Sequence, residues 1–484
     1  MLSVTDTSPS DWRYVSEGGA TIVFSYAGPP NPNFDGTVLR LRKALVPVLK
    51  VQRERIAGAS NLTGAAPFAE SQTDVTAAEE EHDDPTIEYQ AKCMERLIPT
   101  AHLPRLESVR LNEPWLKNLA ELKDVNRPDN RREIDGIDLD RQKGVLATDL
   151  VGGNWLAVEI KPKWAFLPSP THLAGGTASV KNQTCRFCMH NHLRVSKGDG
   201  LPVRYCPLDL FSADEARIRR ALSALWDAWS ESGGTINNLK IFSNGHLVRP
   251  AEEASMLAPE IDSTQITEDQ IKAAFTNALV PSLVQTPVLG ILSKLQRRLD
   301  ALDIEGLSRL WRQTEASAPL YPTTFSPFFA NNNGDVGSKN DTQECARPEA
   351  PLGVSSLFLS SPEPNIPDWV EFLDTYLSGY SDELDHANPT PKDLRYYLLA
   401  YLLSATFKDC SIIVRLDFLR PGCEAEPDCV PQAADPSRNG VTVIDLDPKS
   451  MDKLRKWLKL DNEIAAAYAK KENKKVCVDA HRKL

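Results

Sequence analysis

The chain has 484 residues, enough to bury a large core and to form two lobes rather than one compact unit. It contains no run of about 18 apolar residues and no charged-then-apolar N-terminus, so neither a membrane span nor a secretory signal is expected. Its net charge of −11 argues at first against a protein that grips a polyanion, but Ala57 to Ala91 holds eight acids and no Lys or Arg, leaving only −3 on the remainder.

Local field rather than net charge decides ligand binding, so the acidic segment is no objection. The nine cysteines are scattered, and Cys93, Cys345, Cys410 and Cys477 have no close partner. That pattern predicts a reducing compartment and no disulfide scaffold.

In chain order, Ser16 to Phe24 reads as a glycine turn entering a strand, and Gly36 to Lys43 as a second strand with Val38, Arg40 and Arg42 on one face. A strand pair joined near glycines can lay backbone N–H groups over phosphates, although an ordinary hairpin has the same pattern. Glu54 to Glu88 is rich in Ala, Thr, Ser and acids, has no sustained apolar periodicity, and reads as a mobile insertion. Order resumes from Tyr89 to Glu107, where Met94, Leu97, Ile98 and Leu103 look like packing residues. Gly144 to Leu150 then reads as a strand running into a hinge.

Val158 to Pro168 follows. Read as a strand, it sends Val158 and Ile160 into a core and Glu159, Lys161 and Lys163 to the other face. A carboxylate and two ammonium groups in a row suit a phosphorylated ligand with a metal; an exposed polar strand face is the plainer alternative. Cys185 and Cys188, followed by His190 and His192 and with Cys206 as a further ligand, invite zinc. Single-residue gaps from Cys188 to His190 and from His190 to His192 are compressed for a structural site. On a helix, His190 and Arg194 are i and i+4 and share a face, as two groups reaching one polyanion must.

Beyond it, Ser212 or Asp214 caps a helix from Glu215 to Ser230 whose Ile218, Ala221, Leu222, Leu225 and Trp229 point inward. Along Ile236 to Gly245, Asn237, Leu239 and Ile241 alternate with Asn238, Lys240 and Phe242. Pro287 to Trp311 reads as helices with a stripe of Leu289, Leu292, Leu295 and Leu299, while Tyr321 to Pro351 is Asn/Gly/Pro-rich and flexible. Asp382 to Leu403 is a helical approach to Lys408-Asp409-Cys410-Ser411 and a β-rich run. Val441 to Lys449 looks like a buried strand delivering Asp445 to its tip, the way a kinase presents a magnesium ligand. Asp445, Lys449, Lys453 and Trp457 are spaced by four, so a helix starting there would align the last three.

Glu159-Ile160-Lys161-Pro162-Lys163-Trp164, with Phe166-Leu167-Pro168 after it, resembles the signature of the inositol-pentakisphosphate 2-kinase family. Lys408-Asp409-Cys410-Ser411 is similar to that family's catalytic-base segment, and weaker blocks follow the expected order from Val15 to Leu460. The resemblance implies an α+β, two-lobed kinase-like fold. A smaller β-rich N-terminal lobe would span 1–149, with the acidic insertion near 56–88, and a larger C-terminal α/β lobe with mobile insertions would span 150–484. It implies use of ATP and Mg²⁺ to phosphorylate the 2-hydroxyl of inositol 1,3,4,5,6-pentakisphosphate, giving the hexakisphosphate, by a nuclear and cytoplasmic monomer with no membrane or nucleic-acid partner.

The resemblance also assigns roles. Asp409 would be the base and Lys161 a catalytic cation. Gly19, Ala20, Thr21, Arg40, Asp149, Glu159, Lys161 and Asp445 would hold the nucleotide, with Asp445 and Asp447 on the metal. The substrate would fall to Arg127 (in preference to Arg131), Lys163, His190, Arg194, Asn237, Asn238, Lys240, Lys449, Lys453 and Trp457. The chain departs from the family pattern at several of these: the family has Asn at Thr21, Arg at Lys240 and Lys453, and Tyr at Trp457, whose only polar group is an indole N–H. Some members carry a zinc site of two Cys and two His in an insert; residues 321–351 offer only Cys345 and no His. A non-catalytic polyanion binder is one alternative, opposed by two acids that would cost affinity without a metal or a reaction. A related small-molecule or lipid inositide kinase is the other.

Overall fold

A computed structural model of the chain describes residues 1–52, 81–252, 256–257, 267–317, 363–418 and 440–482. Most of the expected acidic insertion, and all of the Asn/Gly/Pro-rich 321–351, lie outside these. The described chain is mixed α+β with two sheets. It divides into two compact units: Met1–Ala91 with Leu103–Ala157 and Phe242–Leu247, and Lys92–His102 with Val158–Ile241 and Val248–Leu484.

The first unit is built on a seven-stranded sheet. Its strands are β1 (Leu2–Ser3), β2 (Trp12–Glu17), β3 (Thr21–Tyr26), β4 (Thr37–Leu45), β5 (Leu106–Arg110), β6 (Asp135–Ile137) and β7 (Lys143–Thr148). They run in the order β1-β5-β7-β4-β3-β2, with β6 also pairing β4. Aromatic and branched side chains favour these strands, and alternate residues such as Ile22 and Phe24 are buried. Helix α1 (Glu113–Lys123) is capped by Asn112, whose Oδ1 accepts the Trp115 N–H at 3.2 Å. It buries Trp115, Leu116 and Leu119 in a core with Trp12, Phe24 and Phe34, the Trp12 and Trp115 rings meeting edge to face at 6.4 Å.

Two ionic features of this unit were not legible in the sequence. The end of the expected insertion is fixed: Glu81 pairs with Arg141 at 2.7 Å, Asp83 with Lys143 at 3.0 Å and Asp84 with Arg42 at 2.6 Å. A helix then starts at Pro85. Three acids facing three cations of β4 and the β7 edge supply order that apolar periodicity could not reveal. Arg127 is buried as well, at 5% exposure. It donates to Glu17 Oε2 at 2.8 Å and Asp135 Oδ1 at 2.7 Å, and Lys43 joins the same two carboxylates.

The second sheet runs β10-β9-β8-β11-β12, from β8 (Leu156–Ile160), β9 (Leu239–Ser243), β10 (His246–Leu247), β11 (Ser411–Leu416) and β12 (Val441–Ile444). All five residues of β8 are buried. Among the described residues, the longer helices of the second unit are α2 (Gly175–Lys181), α3 (Arg186–Ser196), α4 (Glu215–Glu231), α5 (Glu268–Gln285), α6 (Val288–Leu299), α7 (Asp303–Ser317), α8 (Ile366–Leu377), α9 (Leu394–Asp409) and α10 (Lys453–Ala469). Asp214 is the cap of α4, accepting the Arg217 N–H at 2.8 Å, and the expected inward residues of α4 and the leucine stripe of α6 are buried. Helix α9 packs against α6 and α7 and is buried on nearly every side, as an all-round apolar helix must be.

A charged knot ties α2, α3, α7 and α10. Buried Lys181 donates to Asp303 and Asp461 at 2.7 Å and to Glu305 at 2.9 Å, and Arg186 donates to Asp461 at 3.0 Å. Burial pushes the Asp303 carboxyl up to about 7 against the pull of Lys181.

Candidate functional site

The site of the second unit grows from β8 and its neighbours. Glu159 is held near the end of the strand: its Oε1 accepts from Ser411 Oγ at 2.9 Å and its Oε2 from Lys240 Nζ at 3.1 Å. Lys161 continues the pairing, its N–H donating to the Asn238 carbonyl at 3.1 Å while Asn238 Nδ2 donates back to the Lys161 carbonyl at 2.9 Å. Pro162 then ends the strand, and Lys163 adopts a left-handed backbone with φ 66°, a conformation costly for a residue with a Cβ. The simple alternation of Glu159, Lys161 and Lys163 therefore stops at Lys161. Lys163 reaches the site through that twist.

Two aspartates meet these lysines. Asp409 is the last residue of α9, and Ser411 begins β11 two residues on. Ser411 pairs with Ile444 of β12, so the register carries Asp409 and Asp445 to the same end of the sheet. Lys161 Nζ lies 3.0 Å from Asp445 Oδ2, Lys163 Nζ 3.0 Å from Asp409 Oδ1, and Lys449 Nζ 3.3 Å from Asp409 Oδ2. Ser411 Oγ is 3.1 Å from Asp445 Oδ2 as well as bonded to Glu159; with one proton it serves one carboxylate at a time. Both aspartates stay half open, with side chains 55% and 47% exposed for Asp409 and Asp445. Asp445, like Lys163, has a left-handed backbone, φ 62°. Two strained residues with side chains at one site are the kind of constraint that functional centres keep.

Electrostatics fix the protonation states. Burial alone would raise the Asp409 carboxyl, but Lys163 and Lys449 outweigh it and hold it below its usual value. Burial would likewise lower Lys161, but Asp445, then Glu159 and Asp409, hold it above the ordinary lysine range. Half-buried His190 goes the other way: burial, then Arg186, Arg194 and Lys163, depress it to about 4, so the imidazole is neutral.

His190 and Arg194 lie on α3 as expected, Arg194 exposed and donating to the Asp199 carbonyl at 2.9 Å. Asn237 is exposed beside Asn238. Lys449 is not on the helix expected there, because α10 begins only at Lys453; the preceding stretch runs without regular structure and brings Lys449 to Asp409. Lys453 is exposed in the first turn of α10, and the Trp457 ring lies 6.2 Å from that of Tyr401. Asp447 is exposed two residues beyond Asp445.

The remaining candidates belong to the first unit. Gly19 and Ala20 are exposed in the β2–β3 turn, Thr21 opens β3, and nothing stands within 4 Å of where a Cβ on Gly18 or Gly19 would sit. Arg40 lies on β4 opposite Val23, without an ion pair among the described residues. Asp149 is buried and accepts from Ser25 and from the N–H groups of Val151 and Gly152 at 3.0 and 2.7 Å. Arg127 spends its donors within the unit, on Glu17, Asp124 and Asp135.

Sequence reasoning missed Ser411 and Gln296. Fully buried Gln296 of α6 donates from Nε2 to the carbonyls of Lys163 at 3.0 Å and Phe407 at 2.9 Å, and its Oε1 accepts the Ala165 N–H at 2.9 Å. It thus joins the loop carrying Lys163 to the helix end carrying Asp409. A polar residue inside the leucine stripe was the available signal. Lys408 was quoted only as motif; it is buried against Asp300 at 2.5 Å with its ammonium 4.0 Å from the Trp164 ring centroid, which fixes the turn before Asp409.

Four ammonium groups interlocked with three carboxylates around one hydroxyl can bind phosphate groups and still offer an ionised oxygen to a proton. Comparison with known proteins agrees with that chemistry. The chain is 32% identical over 466 residues to an inositol-pentakisphosphate 2-kinase of Cryptococcus neoformans var. neoformans serotype D, covering 95% of this chain and 93% of that protein. It is 28% identical over 492 residues to one of Oryza sativa subsp. indica (95% and 94% covered), and 25% identical over 511 residues to one of Arabidopsis thaliana (97% and 96%). The inositol-pentakisphosphate 2-kinase family profile matches residues 14–463, and the chain belongs to that family.

Proposed function

We propose that this chain transfers the γ-phosphoryl group of ATP to the 2-hydroxyl of inositol 1,3,4,5,6-pentakisphosphate. The observation that carries the reading is the pairing of Asp409 and Asp445 with separate lysines at one sheet end, each acid still half open to solvent. A binder of polyanions gains nothing from two acids among its cations, whereas a phosphotransferase needs one for the acceptor proton and one for a metal.

Asp445 and Asp447 offer hard, exposed carboxylate oxygens, a donor set that suits Mg²⁺, which takes one or two carboxylates and completes its shell with phosphates and water. Bound there, Mg²⁺ would supply charge neutralisation to the β- and γ-phosphates. Lys161, kept charged by its acidic neighbours, is the protein's donor to the transferring phosphoryl oxygens. Asp409 accepts the acceptor proton. An aspartate is a weak base at neutral pH, but a loose transition state asks for little proton abstraction until late.

Lys163 and Lys449 neutralise Asp409 in the resting chain. An arriving polyanion competes for both ammonium groups and releases the carboxylate for its work, so binding and activation of the base are one event. Lys240, Arg194 and neutral His190 add donors for the remaining phosphates. We further propose that the two compact units correspond to the two lobes of a kinase-type fold, and that Gly19, Ala20, Thr21, Arg40 and Asp149 of the first are nucleotide-binding residues. The test is incubation with ATP, Mg²⁺ and the pentakisphosphate. ADP release with a new phosphate on the axial 2-position is expected; tight binding without turnover, or phosphate at another position, refutes the reading.

A further inference from the structure

The charges of the Lys181 knot do not balance. Lys181, Arg186 and Lys408 supply three cations, while Asp300, Asp303, Glu305 and Asp461 supply four carboxylates. The Lys408–Asp300 pair belongs to the same cluster. Asp300 and Asp303 share the turn between α6 and α7, and the Lys408 ammonium and the Arg186 guanidinium meet one Trp164 ring, at 4.0 and 5.0 Å from its centroid. We propose that this cluster holds one proton, carried by Asp303, and that the proton is a latch whose loss loosens α3 and the turn before Asp409.

All of these groups but Arg186 are buried, and an uncompensated charge in such a place is strongly disfavoured. One proton makes the count three against three. Burial lowers Lys408 against the pull of Asp300, which deepens the shortage of positive charge. A bound cation is not the remedy, because its position is filled. One oxygen from each of Asp303, Glu305 and Asp461 lies within 4.8 Å of the others, and the Lys181 ammonium is bonded to all three.

Hydrogen bonding picks out the acid. Glu305 receives Lys181 on Oε1, and the Ala174 N–H and Thr177 hydroxyl on Oε2 at 2.8 and 2.9 Å. Asp461 receives Lys181 on one oxygen and Arg186 on the other, and these cations hold its carboxyl down despite burial. Both are therefore ionised. Asp303 takes its donors on Oδ1 alone, from Lys181 and the Glu305 N–H at 3.1 Å. Asp300 Oδ2 meets Lys408, but its buried Oδ1 has no hydrogen-bond partner among the described residues. This turn thus carries one acid short of donors and one short of a partner, where a proton is most useful. The other ionisable groups packed nearby do not compete for it. Burial keeps the Tyr401 phenol neutral, His172 Nε2 meets the His386 carbonyl at 2.5 Å, and Asp393 is bonded to Thr390 and Tyr380.

The latch reaches both sides of the site. When the proton leaves to solvent, a fourth negative charge stays behind among three cations. Asp461 links Lys181 to Arg186 at the start of α3, the helix of His190. Asp300 clasps Lys408, the residue before Asp409. Asp303 is accordingly a positioning residue, acting through these pairs.

The test compares full-length wild type with Asp303→Asn, which copies the protonated acid in shape and tolerates the left-handed backbone of residue 303, φ 59°. Infrared spectra at about pH 6, where exposed carboxylates are ionised, should show the carbonyl stretch of one protonated carboxylic acid in wild type. The band should fade as pH rises past about 7 and be missing from Asp303→Asn. Denaturant melts give the second reading. Asp303 of the unfolded chain titrates near about 3.9, so the folded acid stabilises fully below that pH and loses its contribution as pH rises toward about 7. Comparison with Asp303→Asn cancels the other titrations, that of His190 included. Relative to the variant, the wild-type unfolding constant should rise about tenfold per pH unit between about 4.5 and 6.5, then level off. No band in wild type, a band that survives in Asp303→Asn, or a wild-type stability that rises with pH against the variant would each overturn the proposal. Should Asp303→Asn fail to fold, the wild-type band and its loss with rising pH decide alone. Neither reading uses turnover, so the result is independent of the kinase assignment.

Discussion

Gln296 Nε2 donates to the carbonyl of Lys163 at 3.0 Å, so a residue with no solvent exposure holds the backbone of a lysine in a left-handed conformation. Gln296→Leu conserves volume but removes both donors and the acceptor for Ala165. Each buried polar group left unpaired costs about 1–3 kcal/mol, so denaturant melts should show a loss of several kcal/mol. KM for the pentakisphosphate should rise in whatever protein stays folded. A stability unchanged within error would show that the glutamine bonds are replaceable.

Lys163 itself allows a test of strain. In most helices and strands Gly is less stable than Ala, but at φ 66° the order should invert. Lys163→Gly is expected to be more stable than Lys163→Ala by about 1 kcal/mol, with the same rise in KM because both lose the ammonium group. Equal melting midpoints would mean the left-handed backbone costs nothing there.

Asp409 and Lys449 touch each other but serve different steps. Asp409→Asn should lower kcat by on the order of 10²-fold or more, as for a lost general base. Pentakisphosphate binding should hold or tighten, since Lys163 and Lys449 lose their competitor. Lys449→Ala should raise KM more than it lowers kcat. Near-normal turnover by Asp409→Asn would move the base to Asp445 or Asp447.

His190 makes a pH prediction with a definite sign. Burial, then Arg186 and Arg194, depress its folded pKa to about 4, so the unfolded chain takes up the proton first. Its contribution to stability is complete above about pH 6.5, the ordinary histidine value, and is lost as pH falls from there toward 4. A polyanion arriving beside the ring should pull the pKa back up. Calorimetry near pH 5.5 in buffers of different ionisation enthalpy should then detect proton uptake on pentakisphosphate binding, absent in His190→Gln. Identical heats across buffers for wild type would place the ring away from the ligand.

Arg127 and Arg131 separate by burial. Arg127→Met leaves Glu17 and Asp135 short of a partner in the first unit and should cost about 3–5 kcal/mol. Half-buried Arg131→Ala should change stability by no more than about 0.5 kcal/mol. If Arg127→Met melts like wild type but binds substrate poorly, its role is recognition and the burial is incidental.

Much of this was legible in the chain. Val158 to Lys161 shows its strand through alternation, and the α4 and α6 stripes show their buried faces through helical spacing, because both patterns are local. Asp409 and Asp445 could be read as strand-end acids from the apolar runs beside them. What stayed hidden was pairing across the sequence. Nothing near Lys181 names Asp303 as its neighbour, nothing near Arg127 names Glu17, and nothing near Lys449 says that its stretch runs past Asp409 before turning helical. The ordered end of the acidic segment was hidden for the same reason: Glu81, Asp83 and Asp84 are fixed by Arg141, Lys143 and Arg42, not by their own periodicity.

The Lys181 knot and the open aspartates should respond differently to salt. The knot's charges are buried, where mobile ions screen weakly, whereas Asp409 and Asp445 face solvent, where a screening length of about 8 Å at physiological ionic strength dulls every attraction. Rising ionic strength should therefore erode the grip on a many-phosphate ligand while α3 keeps its orientation, since Arg186 and Asp461 stay clasped beneath it. The framework is ionic yet deaf to brine; only the palm it presents can hear it.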